Sequence, residues 1–203
     1  ISNLPYAKAF TPSPVIEEAC PSSSYVTYKF RPSDLNDSEV KMIWMDGGIR
    51  PSHPDLITDK DDIGDNGVLM IGENGIIWSD NYGINARLYI KGQDGVVEKG
   101  KISEINSVEF GHQSYWIDAV KDGYGSDKHR NLTSNFDFAG PLSEVVLLGN
   151  VAIRSSLLKR SPRSNVFIGK KQLMYDSNKM MITNLDQANQ FLTREYREGW
   201  EIS

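Results

Sequence analysis

The sequence predicts an α+β fold, a largely antiparallel β-sheet with helices packed on one face. In the first half of the 203 residues, short segments alternate apolar or β-branched with polar residues, and clusters of turn residues separate them. Helical patterns are concentrated in the second half. Strands that precede helices, rather than alternating with them, are typical of α+β proteins. No boundary divides the pattern, so we expect a single domain over residues 1–203.

The first two strands are predicted at 24–31 and 39–46, joined by the turn-rich segment 32–38 as an antiparallel hairpin. Successive residues of a strand point to opposite faces. Both faces of the second strand carry large apolar side chains: Val40, Met42 and Trp44 on one, Ile43 and Met45 on the other. A helix layer or a second subunit should therefore cover each face.

A second hairpin is predicted from 67–72 and 76–79, with an Asn74-Gly75 turn between them, and a further strand at 86–91. The segment 47–65 before them is rich in Pro, Gly and Asp. Loops of this length in compact domains often line binding sites.

Besides a central core helix, two helices and a strand are predicted in the second half. The first helix, 110–121, ends at Gly123, and a short strand follows at 172–175. The last helix, 185–194, has Asn184 as its cap and Gln187 as the partner in a capping box.

A central core helix is predicted to start near Gly140, because Pro141 suits a first helical turn. Apolar residues from Leu142 to Ile153 surround its axis, so protein should cover both sides. The polar residues Ser134, Asn135 and Asp137 precede it, where free N–H groups favour an anion or a sugar hydroxyl. The alternative is that they cap the helix and order the loop.

Composition excludes several classes of function. The net charge of −5 disfavours nucleic acid as a partner, and the short basic cluster at 159–171 is explained as a solvated connection. Cys20 is the single cysteine, so neither an intrachain disulfide nor a cysteine-based metal site can form. No run of eighteen apolar residues predicts a membrane span, and the compartment stays open between bacterial cytoplasm and periplasm.

Few residues of the sequence are candidates for reactive groups. No Gly-x-Gly-x-x-Gly turn occurs, so we expect no cofactor site and no bound cofactor in this chain. The acidic run 59–67 lacks the ligand spacing of a calcium loop, and we predict no metal. Among the three histidines, His112 is the best candidate for substrate binding, because it opens a helix that could hold it toward a cleft. A structural role at the helix start is the alternative.

Several segments, in order, resemble the glucose-fructose oxidoreductase and inositol dehydrogenase family, also called Gfo/Idh/MocA. The strongest is 134–154, Ser-Asn-Phe-Asp-Phe-Ala-Gly-Pro-Leu-Ser-Glu-Val-Val-Leu-Leu-Gly-Asn-Val-Ala-Ile-Arg. The others are Trp44-Met-Asp-Gly-Gly48 with Pro51, Tyr25 to Phe30, Asn66 to Gly72, Gly111-His-Gln with Trp116 to Lys121, and Ala188 to Trp200. Together they cover most of the chain.

The resemblance implies that this chain is the C-terminal, substrate-side and oligomerisation domain of a longer bacterial oxidoreductase. A preceding nucleotide-binding (Rossmann) domain would hold NAD or NADP and supply the catalytic residues, so no catalytic residue is expected here. The implied substrate is a small sugar or polyol, contacted by His112, Asn135 and Asp137. The sheet face is expected to mediate a homo-oligomer. A redox-assisted NAD-dependent glycosidase and a stand-alone binding or scaffold domain are the alternatives.

Overall fold

The computed structural model describes residues 6–10, 20–34, 36–58, 61–83, 85–100 and 111–201. It confirms the α+β class, since two antiparallel sheets are accompanied by helices. The chain forms two compact units, Ile1–Ile49 with Thr133–Ser203, and Arg50–Leu132.

The elements are as follows in chain order. The strands are β1 (Tyr6–Phe10), β2 (Tyr25–Phe30), β3 (Val40–Met45), β4 (Val68–Ile71), β5 (Gly75–Ser79), β6 (Arg87–Ile90), β7 (Glu98–Lys99), β8 (Leu173–Asp176) and β9 (Met181–Ile182). The α-helices are α1 (Gly111–Asp122), α2 (Asp127–Arg130) and α3 (Phe136–Ser155), and 3-10 helices span Asn81–Gly83 and Asp186–Phe191.

The first unit contains a five-stranded antiparallel sheet in the order β3-β2-β1-β8-β9. The predicted hairpin of β2 and β3 is confirmed, and its register places Val26 opposite Trp44 and Tyr28 opposite Met42. Helix α3 packs over β1 and β2. The core between them is a single cluster of buried residues: Ala7, Val26, Tyr28, Leu148, Val151, Ala152, Ile153, Leu173, Tyr175, Ile182, Leu185 and Ala188.

The predicted start of the central helix near Gly140 is wrong by one turn. Helix α3 begins at Phe136, because the Asn135 side chain caps it and the Asn135 carbonyl accepts from the N–H groups of Phe138 and Ala139. Pro141 therefore lies inside the helix, where its lack of an N–H leaves one ladder bond unmade.

Helix α3 is the one described helix that is long and apolar enough, by length and composition, to cross a membrane. Leu148, Val151 and Ala152 on its sheet side are buried in the core of the first unit. The predicted cover on both sides is wrong, because the structure buries the sheet side of α3 and leaves Leu142, Val146 and Leu147 exposed.

The second unit contains the antiparallel sheet β4-β5-β6-β7. One face packs against the predicted loop 47–65: Ile57 is buried with Ile76, Trp78 and Tyr89. The chain reverses at Glu73 and Asn74, one residue earlier than the predicted Asn-Gly turn, because Gly75 already pairs with Gly72 and Ile90. Helix α1 agrees with its prediction, and the Gly123 N–H closes it on the Ala119 carbonyl.

The predicted last helix, 185–194, is wrong in type and extent. The segment is a 3-10 helix over Asp186–Phe191, and no side chain caps it. Asn184 is bound elsewhere, since its Oδ1 accepts from the Met174 N–H at 2.9 Å and its Nδ2 donates to the Gln172 carbonyl at 2.8 Å. The side chain that was predicted to cap the last helix therefore bonds to the backbone at the start of β8.

Candidate functional site

The three residues predicted to contact substrate lie in two different units. Asn135 and Asp137 lie together at the start of α3 in the first unit. His112 is the second residue of α1 in the second unit, and its side chain is exposed. The structure thus brings Asn135 and Asp137 together within one helical turn, and their contact with a substrate stays a prediction.

Asn135 has a clear structural role. Its Oδ1 accepts a hydrogen bond from the Phe138 N–H at 3.0 Å, the arrangement of an N-cap. Asp137 lies in the first turn, where its negative charge is favourable near the positive end of the helix dipole. One N–H group at the N-terminus of α3, that of Phe138, is therefore already bonded to a side chain of the chain itself.

In the acidic loop of the second unit, Asp61 and Asp62 bond to neighbouring groups of the chain. Arg87 Nη1 lies 3.2 Å from Asp61 Oδ1, His53 Nε2 lies 3.2 Å from the Asp61 carbonyl, and Asp62 Oδ1 accepts from the Gly64 N–H. Within the described ranges, no three His, Cys, Asp or Glu residues come together as a metal-binding group.

A semi-buried polar cluster lies beneath this loop. The Arg87 guanidinium lies 4.8 Å from the centre of the Trp78 ring, and Trp78 Nε1 donates to the Ile63 carbonyl at 3.1 Å. Burial raises the pKa of the neighbouring Tyr89, whereas the Arg87 guanidinium acts to lower it. The cluster therefore anchors the loop to the sheet.

Two tyrosines of the first unit are held in their neutral form. Burial raises the pKa of Tyr28 to about 12. Burial also raises the pKa of Tyr175, and the bond that its hydroxyl donates to Glu144 Oε1 at 2.6 Å adds to the effect. Both hydroxyls are consequently unsuited to proton transfer at neutral pH.

A further hydrogen-bonded cluster, which was not predicted, lies at the end of β3. Asp46 accepts three hydrogen bonds: from the Ser24 N–H at 2.6 Å, from Ser24 Oγ at 2.6 Å and from Trp44 Nε1 at 3.0 Å. The Asp46 N–H in turn donates to the Ser24 carbonyl. The sequence alone gives no sign of this cluster, because Ser24 lies 22 residues from Asp46.

The chain was compared with known proteins. No model of a protein family matches it, and no curated protein matches it.

Proposed function

We propose that this chain is the substrate-side and assembly domain of an NAD(P)-dependent sugar or polyol oxidoreductase of the glucose-fructose oxidoreductase and inositol dehydrogenase type. Its antiparallel sheet and core helix are the architecture that the sequence resemblance implies. The segment with the strongest resemblance, 134–154, corresponds to the cap and body of α3.

The observation that carries the proposal is the outward side of α3. Its sheet side is buried, yet several large apolar side chains elsewhere on the helix are exposed: Phe136, Phe138, Leu142, Val146 and Leu147. Phe138, Leu142 and Val146 recur every four residues and so form one exposed apolar stripe, which marks a contact with another protein surface. A preceding nucleotide-binding domain would cover these residues and form a cleft above the sheet.

The residues of this chain do not fit the nicotinamide cofactor. A pyrophosphate requires a glycine-rich turn and free N–H groups at a helix N-terminus, and the sequence has no such turn. At the start of α3, the Phe138 N–H is already bonded to Asn135. We therefore assign the cofactor to the preceding domain, where it would accept or donate a hydride at a sugar carbon.

The role of this chain in that reaction is to bind and orient the sugar and to exclude water from it. Its part in catalysis is positional, since holding a reactant in a near-attack geometry removes an entropic barrier. Asn135, Asp137 and His112 are the residues proposed to contact the substrate.

Two measurements test the proposal. The reading frame upstream of the codon for Ile1 should encode a strand, a Gly-x-Gly-x-x-Gly turn and a helix, and a start codon at this position would refute it. The full-length product should reduce NAD or NADP with a sugar or polyol. Cleavage of a glycoside without net formation of reduced cofactor would instead identify the redox-assisted glycosidase.

A further inference from the structure

Strand β3 forms one edge of the first sheet and has few of the features that protect such an edge. It pairs with β2 over all six of its residues without a bulge, and among the described residues no strand lies on its other side. It contains no proline and a single charged residue, Lys41. Natural proteins protect edge strands with charges, proline, bulges or a covering segment, because the unpaired backbone groups of an edge can bind a further strand.

The other edges of the two sheets are shorter or closed. The opposite edge of the same sheet is the two-residue strand β9, and the Asn189 side chain bonds there to both the N–H and the carbonyl of Ile182. In the second sheet, the edge strands β4 and β7 have four and two residues. Strand β3 therefore presents the longest open edge in the described part of the chain.

The direction of the backbone groups along β3 follows from one hydrogen bond. The Asp46 N–H donates to the Ser24 carbonyl at 3.1 Å, so the backbone at position 46 points toward β2. This direction alternates from one residue of a strand to the next. Lys41, Ile43 and Met45 therefore point their N–H and carbonyl groups away from β2, toward the open edge.

The side chains on one face of this edge are apolar. Trp44 stands opposite Val26, which is buried in the core beneath α3, so Trp44 and Met42 lie on the α3 face. The Trp44 side chain is 57% exposed, and its indole N–H donates at 3.0 Å to Asp46, whose carboxylate Ser24 also binds. An added strand would place a side chain directly beside this ring, where a β-branched residue is favourable.

The other face of the edge carries a positive charge without a counter-charge. Lys41 stands directly opposite Lys29 on β2, and Lys29 forms an ion pair with Glu39 at 2.7 Å. Among the described residues, no carboxylate lies within ion-pair distance of the Lys41 ammonium. A carboxylate on an added strand, opposite Lys41, would therefore offset the repulsion between the two lysines.

We propose that the edge of β3 binds an extended segment of another protein, which adds to the sheet as an antiparallel strand. A carboxylate of that segment lies opposite Lys41, and β-branched side chains lie opposite Met42 and Trp44. The main-chain hydrogen bonds supply most of the affinity, and the side chains select the sequence. This inference is independent of the proposed function, because it involves neither a sugar nor a cofactor.

A second copy of β3 fits the edge less well. Two copies related by a twofold axis would pair antiparallel, with their outward-pointing residues opposite one another. In every such register that overlaps the strands by more than one residue, Lys41 stands opposite an uncharged residue or opposite its own copy. Self-pairing of this kind supplies no carboxylate for Lys41, whereas a segment of a different protein can.

The probe for the test is a synthetic peptide, acetyl-Thr-Val-Thr-Val-Glu-Thr-amide, whose glutamate comes opposite Lys41 when its first residue pairs with Met45. Its binding is followed by amide hydrogen exchange in the NMR spectrum of the whole chain. At saturating peptide, the N–H groups of Lys41, Ile43 and Met45 should exchange about tenfold more slowly, because these groups gain partners. Those of Met42 and Trp44, which point to β2, should change little. Protection at other positions only, or no binding at about 1 mM peptide, would overturn the proposal.

Two control peptides distinguish strand addition from nonspecific adsorption. Methylation of the backbone nitrogens of the first, third and fifth peptide residues removes the donors that face the edge, and it should abolish binding. Lysine in place of the glutamate should weaken binding about fivefold, as expected for like charges on neighbouring strands. Affinity equal to that of the original peptide for either control would overturn the proposal.

Variants of the chain make the test independent of folding. Lys41→Glu should reverse the preference, so that the lysine peptide binds more tightly than the glutamate peptide, a result that a misfolded chain would not give. Lys91→Glu changes an exposed lysine of the second unit and, as the matched control, should keep the original preference. Ile43→Pro removes one outward N–H and should abolish binding. An unchanged preference in Lys41→Glu would overturn the proposal. So would a lower oligomeric state of Ile43→Pro, because a second copy would then occupy the edge.

Discussion

Gly149 of α3 lies directly over the hydroxyl of Tyr28 on β2: a Cβ at position 149 would sit 2.2 Å from Tyr28 Oη. The next nearest atom, Tyr28 Cζ, would be 3.4 Å away, an ordinary van der Waals contact. Tyr28 is 4% exposed, so its ring has little room to move. Because Gly149 has no side chain, α3 can pack closely against β2 at the position of Tyr28.

This relationship predicts that Gly149→Ala has opposite effects in two backgrounds. In the natural chain the new methyl group overpacks the core and should cost about 1–3 kcal/mol of unfolding free energy. In Tyr28→Phe the clashing oxygen is gone, and Gly→Ala in a helix should stabilise by about 0.5–1 kcal/mol. A double-mutant cycle by urea denaturation measures both. The same cost in both backgrounds would show that Tyr28 does not set the helix approach.

The raised pKa of Tyr28, about 12, predicts a loss of stability at alkaline pH. The unfolded chain releases the proton near the ordinary pKa of about 10, whereas the folded chain retains it. The contribution is therefore complete below pH about 10 and is lost as the pH rises toward 12. The urea midpoint of the natural chain should fall over this range, and Tyr28→Phe should fall less. Equal slopes would contradict the burial of this hydroxyl.

Asn135 offers a test between capping and substrate binding. Asn135→Ala removes the acceptor for the Phe138 N–H and should cost about 1 kcal/mol of stability. Asn135→Asp keeps an acceptor oxygen and should retain stability. If Asn135 only caps α3, the KM of the full-length product for its sugar should be unchanged in Asn135→Asp. A raised KM in that stable variant would support the predicted substrate contact.

Strands β2 and β3 were predictable because their signal is local, whereas β1, β7 and β9 were not predicted. Apolar or β-branched residues alternate with other residues along β2 and β3, and a cluster of turn residues separates the two strands. The hairpin, and the face of the sheet to which each side chain points, could therefore both be derived. The observed turn at Glu73 and Asn74 lies one residue before the predicted turn at Asn74 and Gly75, because its position depends on the pairing of Gly75 with Ile90. Sequence pattern fixes that an element exists more firmly than where it ends.

The side chains whose partners are distant in sequence could not be predicted. Asn184 suits a helix cap by its local context. In the structure its side chain instead bonds to the backbone of Met174 and Gln172 at the start of β8, ten and twelve positions away. The Trp44, Asp46 and Ser24 cluster likewise depends on the β2 and β3 register. An Asn, Asp or Ser side chain serves several structural roles equally well, and only tertiary structure selects one.

Asn189 supplies a further prediction of this kind. Its Oδ1 accepts from the Ile182 N–H at 2.7 Å and its Nδ2 donates to the Ile182 carbonyl at 3.0 Å, so its amide pairs with the β9 edge as a strand would. Asn189→Asp loses the donor and places a carboxylate against a carbonyl, and it should cost about 1–3 kcal/mol. The exposed Asn178→Asp is the matched control and should change the unfolding free energy little. Equal effects would show that the Asn189 bonds do not matter.

The uncovered face of the second sheet predicts self-association. Met70, Ile77 and Leu88 stand opposite one another on β4, β5 and β6, on the face away from Trp78 and Tyr89, and Val68 and Ile90 extend it. Met70 is 56% exposed and Ile77 43%. An apolar patch of this kind on a sheet face is expected to be buried in an oligomer.

We therefore expect a dimer by sedimentation equilibrium, and we expect Ile77→Glu to convert it to a monomer, because a carboxylate at the centre of the face would be buried without a partner. Glu73→Gln, in the turn that joins β4 to β5, is the control and should leave the dimer intact. A monomer in the natural chain would refute the association, and a dimer that persists in Ile77→Glu would locate it on another surface.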